Sequence, residues 1–378
     1  MDHSHLLMMI FAVFVILFGE RNLLFTSPRK SANSSAENLR LLTMTDDDEG
    51  EGGYLDQFRS FQQRFNKTYA SLDEQTERFW IFLQNLERIE WYNTHEEGSA
   101  VYGITDTADW TEEEFVSKRA NLKPEIVNRV EILEKVNFSE FISDDQIPDD
   151  FDWRFANTVT SVKNQGLCGS CWAFSIAGLI ENLYAIRRGN LTDLSPQQLV
   201  DCAKMSKGCK GGSVLDGLFT IQWMGGLHTE AEYPYVGAKG QCRFSSLDGP
   251  AVQIGYGGYL ESENNEEKMA VYIATTSSII STVHVNGLFQ FYLRGIIHAP
   301  QWLCDQVEPN LNHAVLNVGY GRSERHDMDY WILKNSWGEN WGEKGYFRVK
   351  RGSNTCGVGN IAYTAKLQPK VRPTENTF

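Results

Sequence analysis

The cysteines of this chain are confined to one part of it. All seven lie after residue 160, and the preceding residues contain none. An odd number of cysteines in an oxidising compartment leaves at least one thiol unpaired, so three disulfides and one free cysteine is the simplest arrangement. Aromatic, glycine-punctuated sequence begins shortly before the first cysteine, at 147–154. We therefore predict the main domain boundary there, with a cross-linked domain following it.

Two of the cysteines form a C-x-x-C pair in NQGLCGSCWAFS, residues 164–175. A zinc site would need two more ligands in a compact second clip, whereas the remaining cysteines are scattered singly. A thioredoxin-type redox pair would follow the first strand of a βαβ unit, whereas this pair opens a helix-rich half. A reactive thiol beside a structural one explains more. Cys171 begins a long predicted helix, where unpaired backbone N–H groups and the helix dipole stabilise a thiolate.

A thiolate nucleophile also needs a proton partner and a group that orients this partner. LNHAVLNVGYG supplies His313 within a predicted strand, and LKNSWGENWGEKGY supplies Asn335 at the end of another. A lone histidine is more often structural. The combination of these two residues with Cys171 is what favours a nucleophilic cysteine site.

Four separated sequence blocks carry a family resemblance: CGSCW (168–172), GCKGG (208–212), NHAV (312–315) and NSWGENWGEKGYF (335–347). From about 147 to 367 the chain resembles the papain-like cysteine proteases, the lysosomal cathepsin group. The resemblance implies an α+β fold with a helical half, a β-barrel-like half and an active-site cleft between them. It also implies a helical propeptide domain before the enzyme.

The resemblance implies a role for each residue of the site. Cys171 would be the nucleophile, forming a thiolate–imidazolium pair with His313 and having a thiol pKa far below the usual value of about 8.5. Asn335 would orient the imidazole, and Trp337 would shield that hydrogen bond from water. The Gln165 side chain and the backbone N–H of Cys171 would bind the oxyanion. The implied disulfides are Cys168–Cys209, Cys202–Cys242 and Cys304–Cys356, which leave Cys171 free.

The resemblance further implies an extended substrate across the cleft. Gly212 would bond the substrate backbone in β fashion, because a side chain there would block close approach. The pocket for the residue two before the scissile bond carries no charge, so we expect Leu, Val or Phe to be preferred. No long histidine-bearing insert follows GCKGG, which favours endopeptidase activity. The expected substrate-binding residues are Gly211, Gly212, Ser213, Val214, Val283, Asn312, Ala314, Trp337 and Ile361, of which 213, 214, 283, 314 and 361 line the pocket.

The region before 147 resembles the propeptides of cathepsin L-like enzymes. Its E-x3-R-x3-F-x2-N-x3-I-x3-N pattern lies near one helical stripe. In the second propeptide motif, YGITDTADWTEEEF (102–115), Thr105 and Thr107 replace the usual Asn and Phe, so we expect weaker docking. The TEEEF ending resembles the cathepsin F branch, and the choice between F-like and L-like stays open. The pattern residues are Glu74, Arg78, Phe82, Asn85, Ile89 and Asn93.

Local signals predict further elements. Phe58, Phe61 and Phe65 recur at helical spacing, and two amphipathic helices are expected within 54–94. Thr111 and Glu114 form a predicted capping box for a helix at 109–115. Other helices are expected from Cys171 to Gly189, after Ser195-Pro196 with Gln198 closing a capping box, and at Val214–Met224. Beyond about 250 the pattern becomes β, with strands expected at 278–285, 313–321, 329–338 and 345–352.

The N-terminus carries one targeting segment, LLMMIFAVFVILFG at 6–19. It is shorter than the roughly 20 residues of a transmembrane helix and fits the core of a secretory signal peptide. No Lys or Arg precedes it and no clear cleavage site follows, so an uncut signal anchor stays open. The predicted organisation is a signal peptide at 1–19, an acidic linker at 20–53, an inhibitory propeptide at 54–115, a propeptide linker and activation region at 116–146 with removal near 140–147, a peptidase domain at 147–367 and a disordered tail at 368–378.

Composition limits the partners. The formal charge is −14 and the pI is about 5.1, which argues against nucleic-acid binding. We expect a monomer without cofactor or metal, acting on polypeptides and bound by its own propeptide and by cystatin-like inhibitors, in the lysosome or endosome or outside the cell. A catalytically silent binding module and a second role of the released propeptide as an inhibitor are the alternatives. Candidate glycosylation sites are Asn33, Asn66, Asn137 and Asn190.

Overall fold

The computed structural model describes residues 52–123, 147–244, 249–260, 265–307 and 310–368. The predicted signal segment lies outside the described residues, together with nearly all of the 20–53 linker, the activation region beyond 123, the tail beyond 368, Asn33 and Asn137. The chain divides into two units, Met1–Glu77 and Arg78–Phe378.

The described part of the first unit is helical. Helix α1 (Gly52–Phe65) starts slightly earlier than predicted, and α2 (Leu72–His95) begins in this unit and continues into the second. In α1 the ring of Phe61 packs on those of Phe58 and Phe65, at centroid distances of 6.0 and 5.4 Å. At the start of α2, the N–H of Glu74 donates to Ser71 Oγ at 3.1 Å. The two predicted amphipathic helices are therefore confirmed.

The second unit begins with the rest of the predicted propeptide. Strand β1 (Val101–Tyr102) is followed by α3 (Glu112–Arg119). The Thr111 hydroxyl accepts the Glu114 N–H, and the Glu114 carboxylate accepts the Thr111 N–H, so the predicted capping box is confirmed. Helix α3 runs four residues into the range that we assigned to a linker, because its last turn buries Arg119.

Three helices form the helical half of the following domain: α4 (Cys171–Arg188), α5 (Pro196–Cys202) and α6 (Val214–Met224). Gly189 adopts the left-handed conformation that ends α4. The Ser195 hydroxyl caps α5 by accepting the Gln198 N–H, as predicted. The second half of that capping box is wrong: the Gln198 amide instead accepts the His228 N–H and donates to a carbonyl beyond α6.

The other half is built on a sheet whose described strands do not close into a barrel. The strands are β2 (Phe151–Asp152), β3 (Gly226–Leu227), β4 (Val252–Leu260), β5 (Ile279–Val283), β6 (Tyr292–Arg294), β7 (Ile296–Ile297), β8 (His313–Ser323), β9 (Met328–Lys334), β10 (Tyr346–Lys350) and β11 (Ala362–Leu367). The order of the strands in the sheet is β3-β4-β11-β5-β8-β9-β10-β7, with β2 paired to β8. Strands β1 and β6 form a separate two-stranded sheet. Two helices that we did not predict, α7 (Glu266–Thr275) and α8 (Gly287–Phe291), lie between strands.

A buried polar cluster ties α4 to the sheet. Lys334 on β9 donates to the Thr160 hydroxyl at 2.9 Å, and this hydroxyl donates to the Glu181 carboxylate at 2.6 Å. The other Glu181 oxygen accepts the Leu194 N–H at 2.9 Å. Burial lowers the pKa of Lys334, and the charge of Glu181 opposes this shift. The cluster fixes α4, and hence Cys171 at its start, against the strands.

Three disulfides join the six cysteines that the resemblance paired, Cys168–Cys209, Cys202–Cys242 and Cys304–Cys356. Cys171 is free and buried. Because Cys168 is bonded to Cys209, the C-x-x-C pair forms neither a zinc clip nor a dithiol couple. Within the described ranges, no His, Cys, Asp and Glu side chains group as a metal site, and no helix is long and apolar enough to cross a membrane.

Candidate active site

The free thiol lies at the first residue of α4. The Cys171 side chain is fully buried. Burial raises the pKa of the Cys171 thiol, and nearby backbone N–H groups, those of Ala314 and Asn121 first, partly oppose the shift. Asn121 belongs to the segment that follows α3, so the propeptide region lies close to the sulfur.

His313 and Asn335 lie together, as expected from the sequence. Nε2 of His313 donates to Oδ1 of Asn335 at 2.8 Å, and the Ser336 N–H donates to the same oxygen at 2.8 Å. Because the Ser336 N–H identifies this atom as the amide oxygen, which only accepts, the proton of the neutral imidazole lies on Nε2. Nδ1 of His313 has no hydrogen-bond partner in the described parts of the chain. It is therefore the nitrogen available to take a proton.

Three aromatic side chains cover the His313–Asn335 hydrogen bond. The Trp337 ring lies over His313 with its centroid 4.8 Å from that of the imidazole. Trp341 packs edge-on against Trp337 at 4.8 Å, and Phe115 of α3 covers Trp337 from the propeptide side at 5.3 Å. His313 and Asn335 are both buried under this packing, and the shielding of their hydrogen bond by Trp337 stays a prediction.

The expected thiolate–imidazolium pair is not favoured in this structure. Burial lowers the pKa of His313 to about 4, while its hydrogen bond to Asn335 opposes the shift. Together with the raised pKa of Cys171, this favours the neutral form of both groups. The sequence-based expectation took no account of the propeptide segment, which removes water from both groups.

Gln165 lies next to the site with its side chain held at both ends. Oε1 accepts the Ser336 hydroxyl at 2.6 Å, which leaves Nε2 free to act only as a donor. Nε2 donates to the carbonyls of Cys168 at 2.8 Å and Arg119 at 3.2 Å. The predicted oxyanion donor therefore faces a peptide carbonyl of the propeptide region.

Sequence reasoning missed a tyrosine that supports this part of the site. The Tyr235 hydroxyl donates to the Gln165 carbonyl at 2.9 Å and shares a hydrogen bond with Ser170 Oγ at 2.8 Å. Burial raises the pKa of Tyr235 to about 12, so it stays a neutral donor. No sequence motif identifies Tyr235, because its hydroxyl donates to a backbone carbonyl, a group that every residue carries.

Residues 120–123, which follow α3, run along the predicted substrate groove. The Leu122 N–H donates to the Asn312 carbonyl at 2.8 Å, and the Lys123 N–H donates to the Gly212 carbonyl at 2.9 Å. Leu122 forms a parallel β-bridge with Gly212. Gly212 thus bonds an extended peptide through its backbone, which is the kind of contact expected for a substrate.

The two glycines of the groove have different physical reasons. A Cβ on Gly212 would lie 2.7 Å from Cδ2 of Trp172, so the indole beneath the groove excludes a side chain. Gly211 has φ +104°, and a Cβ there would collide with the carbonyl oxygen of Asn121. A side chain at Gly211 would therefore block the bound segment, whereas a side chain at Gly212 would meet the indole. The sequence-based expectation places the block to close approach at Gly212.

Three of the five predicted pocket residues belong to, or pack against, the apolar cluster that contains Leu122. Leu122 belongs to one buried apolar cluster with Val214 and Ala314, and Ile361 packs against that cluster. Val283 is fully buried in β5, directly opposite His313 in β8. The Ser213 hydroxyl caps α6 by accepting the Asp216 N–H at 3.1 Å. Asn312 anchors its own backbone by exchanging two hydrogen bonds between its amide and Val285.

Three of the six propeptide-pattern residues bind the segment that returns from α2, and two more are buried. Arg78 forms a two-pronged ion pair with Glu114, at 2.6 and 2.9 Å. The Asn85 amide donates to the carbonyls of residues 108 and 110, and Asn93 exchanges two hydrogen bonds with Tyr102. Phe82 and Ile89 are buried. The predicted stripe therefore organises the propeptide; Glu74 lies in the first unit.

The second propeptide motif docks on α8. The Thr105 hydroxyl donates to the Gln290 carbonyl at 2.7 Å and lies 3.2 Å from the Thr107 hydroxyl. The Gln290 amide donates to the carbonyls of Thr107 and Trp110 at 2.8 and 3.0 Å. Both threonines thus make buried polar contacts; the weaker docking that we expected from them stays a prediction.

Asn66 and Asn190 are exposed, as a glycosylation site requires.

Comparison with known families decides which fold this is. A profile of the papain family cysteine proteases matches residues 147–366, more than half of the 378 residues. The chain belongs to the papain family. A profile of the cathepsin propeptide inhibitor domain (I29) matches residues 58–115, so this papain-family chain also carries an inhibitory propeptide domain.

Relatives and solved structures agree with this assignment. Cathepsin F of Drosophila melanogaster is 41% identical over 317 residues, and cathepsin F of Mus musculus is 39% identical over 310 residues. Each alignment covers 82% of this chain, but only 50% and 64% of the respective relative. A digestive procathepsin L2 proteinase from the Tenebrio molitor larval midgut superposes with a TM-score of 0.76 at 32% identity, covering 83% of this chain and all of that one. The fold is therefore that of a papain-like proenzyme.

Proposed function

We propose that this chain is the zymogen of a cysteine endopeptidase that uses Cys171, His313 and Asn335. One observation carries the proposal: the chain's own residues 120–123 lie as an extended peptide along the groove near Cys171, with the carbonyl of the preceding Arg119 on Gln165 Nε2 and backbone bonds to the groove. A groove that binds a peptide backbone beside a thiol and an imidazole is suited to peptide-bond hydrolysis.

The first chemical step is proposed for the site after the propeptide segment has left it. Nδ1 of His313 takes the proton of the Cys171 thiol, and the sulfur attacks the peptide carbonyl carbon. The carbonyl oxygen becomes an oxyanion, which accepts hydrogen bonds from Gln165 Nε2 and from the N–H of Cys171. Asn335 keeps the other imidazole nitrogen protonated and oriented, and Trp337 keeps water from that bond.

Collapse of this adduct breaks the C–N bond, and the proton on Nδ1 of His313 passes to the leaving amine. A thioester to Cys171 remains. Water then attacks the thioester carbonyl while His313 takes a proton from it, the C–S bond breaks, and the proton returns to the sulfur. Acid product and free thiol result, with no net change in the enzyme.

The apolar cluster supports a substrate preference. Leu122 is 8% exposed and lies in the same cluster as Val214 and Ala314. Leu, Val or Phe two residues before the scissile bond would take this place. Polypeptides bound in extended form are thus the proposed substrates, and the propeptide blocks the groove until it is removed.

The surroundings of the protein are part of the proposal. Three disulfides are typical of proteins that fold in an oxidising compartment, which supports entry into the secretory pathway and action in the lysosome, the endosome or outside the cell. We also propose that the mature enzyme acts as a monomer and is bound by cystatin-like inhibitors.

The test uses the full precursor and three variants. After acid processing, the wild type is treated with an epoxide inhibitor, mapped by peptide mass, and assayed on a Leu- or Phe-containing dipeptide reporter. Cys171→Ser removes the nucleophile, His313→Gln removes the proton partner, and Asn335→Ala removes the orienting amide. Label on Cys171 alone, with turnover lost in the first two variants and reduced in the third, is the expected result.

The alternative is a catalytically silent protein that binds peptides. It predicts that the processed wild type binds the reporter but neither turns it over nor takes the label at Cys171. Turnover that survives Cys171→Ser would also refute the proposal, because another residue would then be the nucleophile.

A further inference from the structure

One turn beside the groove carries an unusual concentration of positive charge. Lys207 and Lys210 belong to this turn and Lys239 packs against it from another segment; we call these three lysines the basic loop. All three side chains are exposed, and none makes an ion pair within the described ranges. The whole chain has a formal charge of −14. The basic loop is therefore a local exception that internal salt bridges do not explain.

The nearest carboxylates of the sequence have other partners. Asp216 accepts the N–H and the hydroxyl of Ser206, at 2.7 and 2.6 Å. Asp201 accepts the Gly240 N–H at 2.6 Å and the Tyr233 hydroxyl at 2.8 Å. No acidic residue lies between positions 201 and 216 in the sequence. Neither carboxylate thus forms a direct ion pair with a lysine of the basic loop within the described residues.

Backbone and side-chain contacts place the basic loop at the groove. The Lys207 N–H donates to the Gly211 carbonyl at 2.8 Å, and Lys210 directly precedes Gly211. The Lys239 stem lies against Gly208, where a Cβ would be 2.7 Å from its Cδ, and its ammonium donates to the Ser206 carbonyl at 3.1 Å. All three lysines therefore surround the turn that ends in the groove glycines.

The bound propeptide segment identifies which substrate position meets this loop. Counting outward from the Cys171 sulfur, Asn121 lies near the sulfur, Leu122 belongs to the apolar cluster, and Lys123 is the third residue. A Cβ on Gly211 would lie 2.7 Å from Cε of Lys123, so the third position lies over the loop. Lys123 has the same charge as the basic loop, so the propeptide leaves the electrostatic complement of the loop unused.

We propose that the basic loop selects substrates with Asp or Glu at the third residue before the scissile bond. The inference rests on the proposed endopeptidase function and on Leu122 occupying the pocket of the second residue. An acidic side chain there would be attracted by the positive charge of the basic loop, whereas the lysine that now occupies the position gains no such attraction. The substrate class is then an acidic residue followed by an apolar one.

The test compares three reporter peptides that differ only at the third residue, Glu, Gln or Lys, with Leu at the second. The processed enzyme is assayed at pH 6, where a glutamate of ordinary pKa is ionised. Exposed ion pairs are each worth a factor of roughly 1.5 to 5. We therefore expect kcat/KM for the Glu reporter to exceed that for the Gln reporter by about 3- to 10-fold. This ratio should fall when salt is raised from about 50 mM to about 500 mM, because the higher salt concentration shortens the screening length to a few Å.

A charge-matched pair of variants isolates the loop. Lys207→Gln with Lys210→Gln removes two cations of the loop, whereas Arg187→Gln with Arg188→Gln removes two cations at the far end of α4, about 24 Å from Cys171. The first double variant should lose most of the Glu preference while keeping its rate on the Gln reporter. The second should keep the preference.

Three outcomes would overturn this inference while leaving the proposed endopeptidase function intact. The wild-type enzyme could cleave the Glu and Gln reporters equally, the Glu preference could survive in the loop variant, or it could fall equally in the α4 variant. Absence of both cleavage and epoxide labelling of Cys171 is a different failure, since it would remove the proposed endopeptidase function and this inference with it.

Discussion

Truncating Leu122 to alanine tests whether its side chain holds the propeptide in the groove. This residue is 8% exposed and lies in the apolar cluster that also contains Val214 and Ala314. The backbone hydrogen bond from its N–H to the Asn312 carbonyl does not depend on the side chain. The substitution therefore removes the buried apolar contact and leaves the polar contact in place.

The size of the effect follows from the burial. Truncation of a packed leucine to alanine costs about 2–5 kcal/mol, of which the transfer of the side chain from water accounts for roughly 1.5–3 kcal/mol. We take the lower part, about 2–3 kcal/mol, because neighbours at the edge of a groove relax more easily than those in a core. Since 1.4 kcal/mol corresponds to a factor of ten, the population with an uncovered site should rise roughly 30- to 150-fold.

The assay measures how often the site is uncovered. The intact precursor is mixed with an epoxide inhibitor at neutral pH, and label on Cys171 is followed by mass before any processing occurs. When covering and uncovering are fast, the labelling rate is proportional to the uncovered population. The matched control is Leu122→Met, which conserves volume and apolarity and should change the rate less than about tenfold.

Equal labelling rates for wild type and Leu122→Ala would refute the reasoning, because the leucine would then contribute nothing to closure. An equal acceleration in Leu122→Ala and Leu122→Met would refute it as well, since the rate would follow any change at this position.

Three further changes have defined outcomes. The hydrogen-bonded Arg78 holds the pKa of Glu114 below its usual value of 4.5. This pair therefore stabilises the propeptide above pH 4.5, and the contribution is lost as the pH falls through the lowered pKa. Arg78→Gln should speed labelling of the Cys171 thiol roughly fivefold at neutral pH, and acidification should then raise the labelling rate less than in the wild type. Ser336→Ala frees the amide predicted to bind the oxyanion, so kcat should fall about 2- to 10-fold with little change in KM. Replacing Cys304 and Cys356 by serine opens a 52-residue loop and should cost about 4 kcal/mol in urea unfolding.

Each of these outcomes has its own control. For the ion pair it is Arg59→Gln, which removes an exposed arginine of α1 that pairs within its own helix, and an equal response of both variants would contradict the role of Arg78. Ser336→Thr should retain kcat, and a KM effect without a kcat effect would argue against oxyanion positioning. An unfolding midpoint unchanged in the disulfide variant would show that native packing alone holds that loop.

Local signals in the sequence predicted those parts of the fold that local contacts determine. Thr111 and Glu114 cap α3 across three residues, and Gly189 ends α4 in the left-handed conformation. Gln198 failed as a capping residue because its amide binds the backbone at His228, thirty residues away. Helix α8 carries no amphipathic period because all five of its residues are buried. Such tertiary contacts leave no pattern at short spacing.

The candidate site divides in the same way. His313 and Asn335 were predicted together because a nucleophilic thiol needs both groups, and the structure brings them within 2.8 Å. The segment around Leu122 was assigned to a linker, because its groove contacts are made largely by backbone N–H groups, which every residue except proline possesses. The neutral state favoured for Cys171 could not be anticipated for the same reason, since it depends on that segment excluding water.

Because residues 122 and 123 of the propeptide pair with Gly212 from within the same chain, activation depends on the volume into which a cut propeptide can escape. While Lys123 and Ile147 belong to one continuous chain, the inhibitor competes from within the same molecule, at an effective concentration on the order of mM. A cut between these residues changes none of the contacts in the groove, yet the same contacts must afterwards form from solution. A cleaved pair held in a small vesicle would stay largely associated, whereas release into an open volume would separate it at an unchanged dissociation constant. Dilution would then complete what the cut begins.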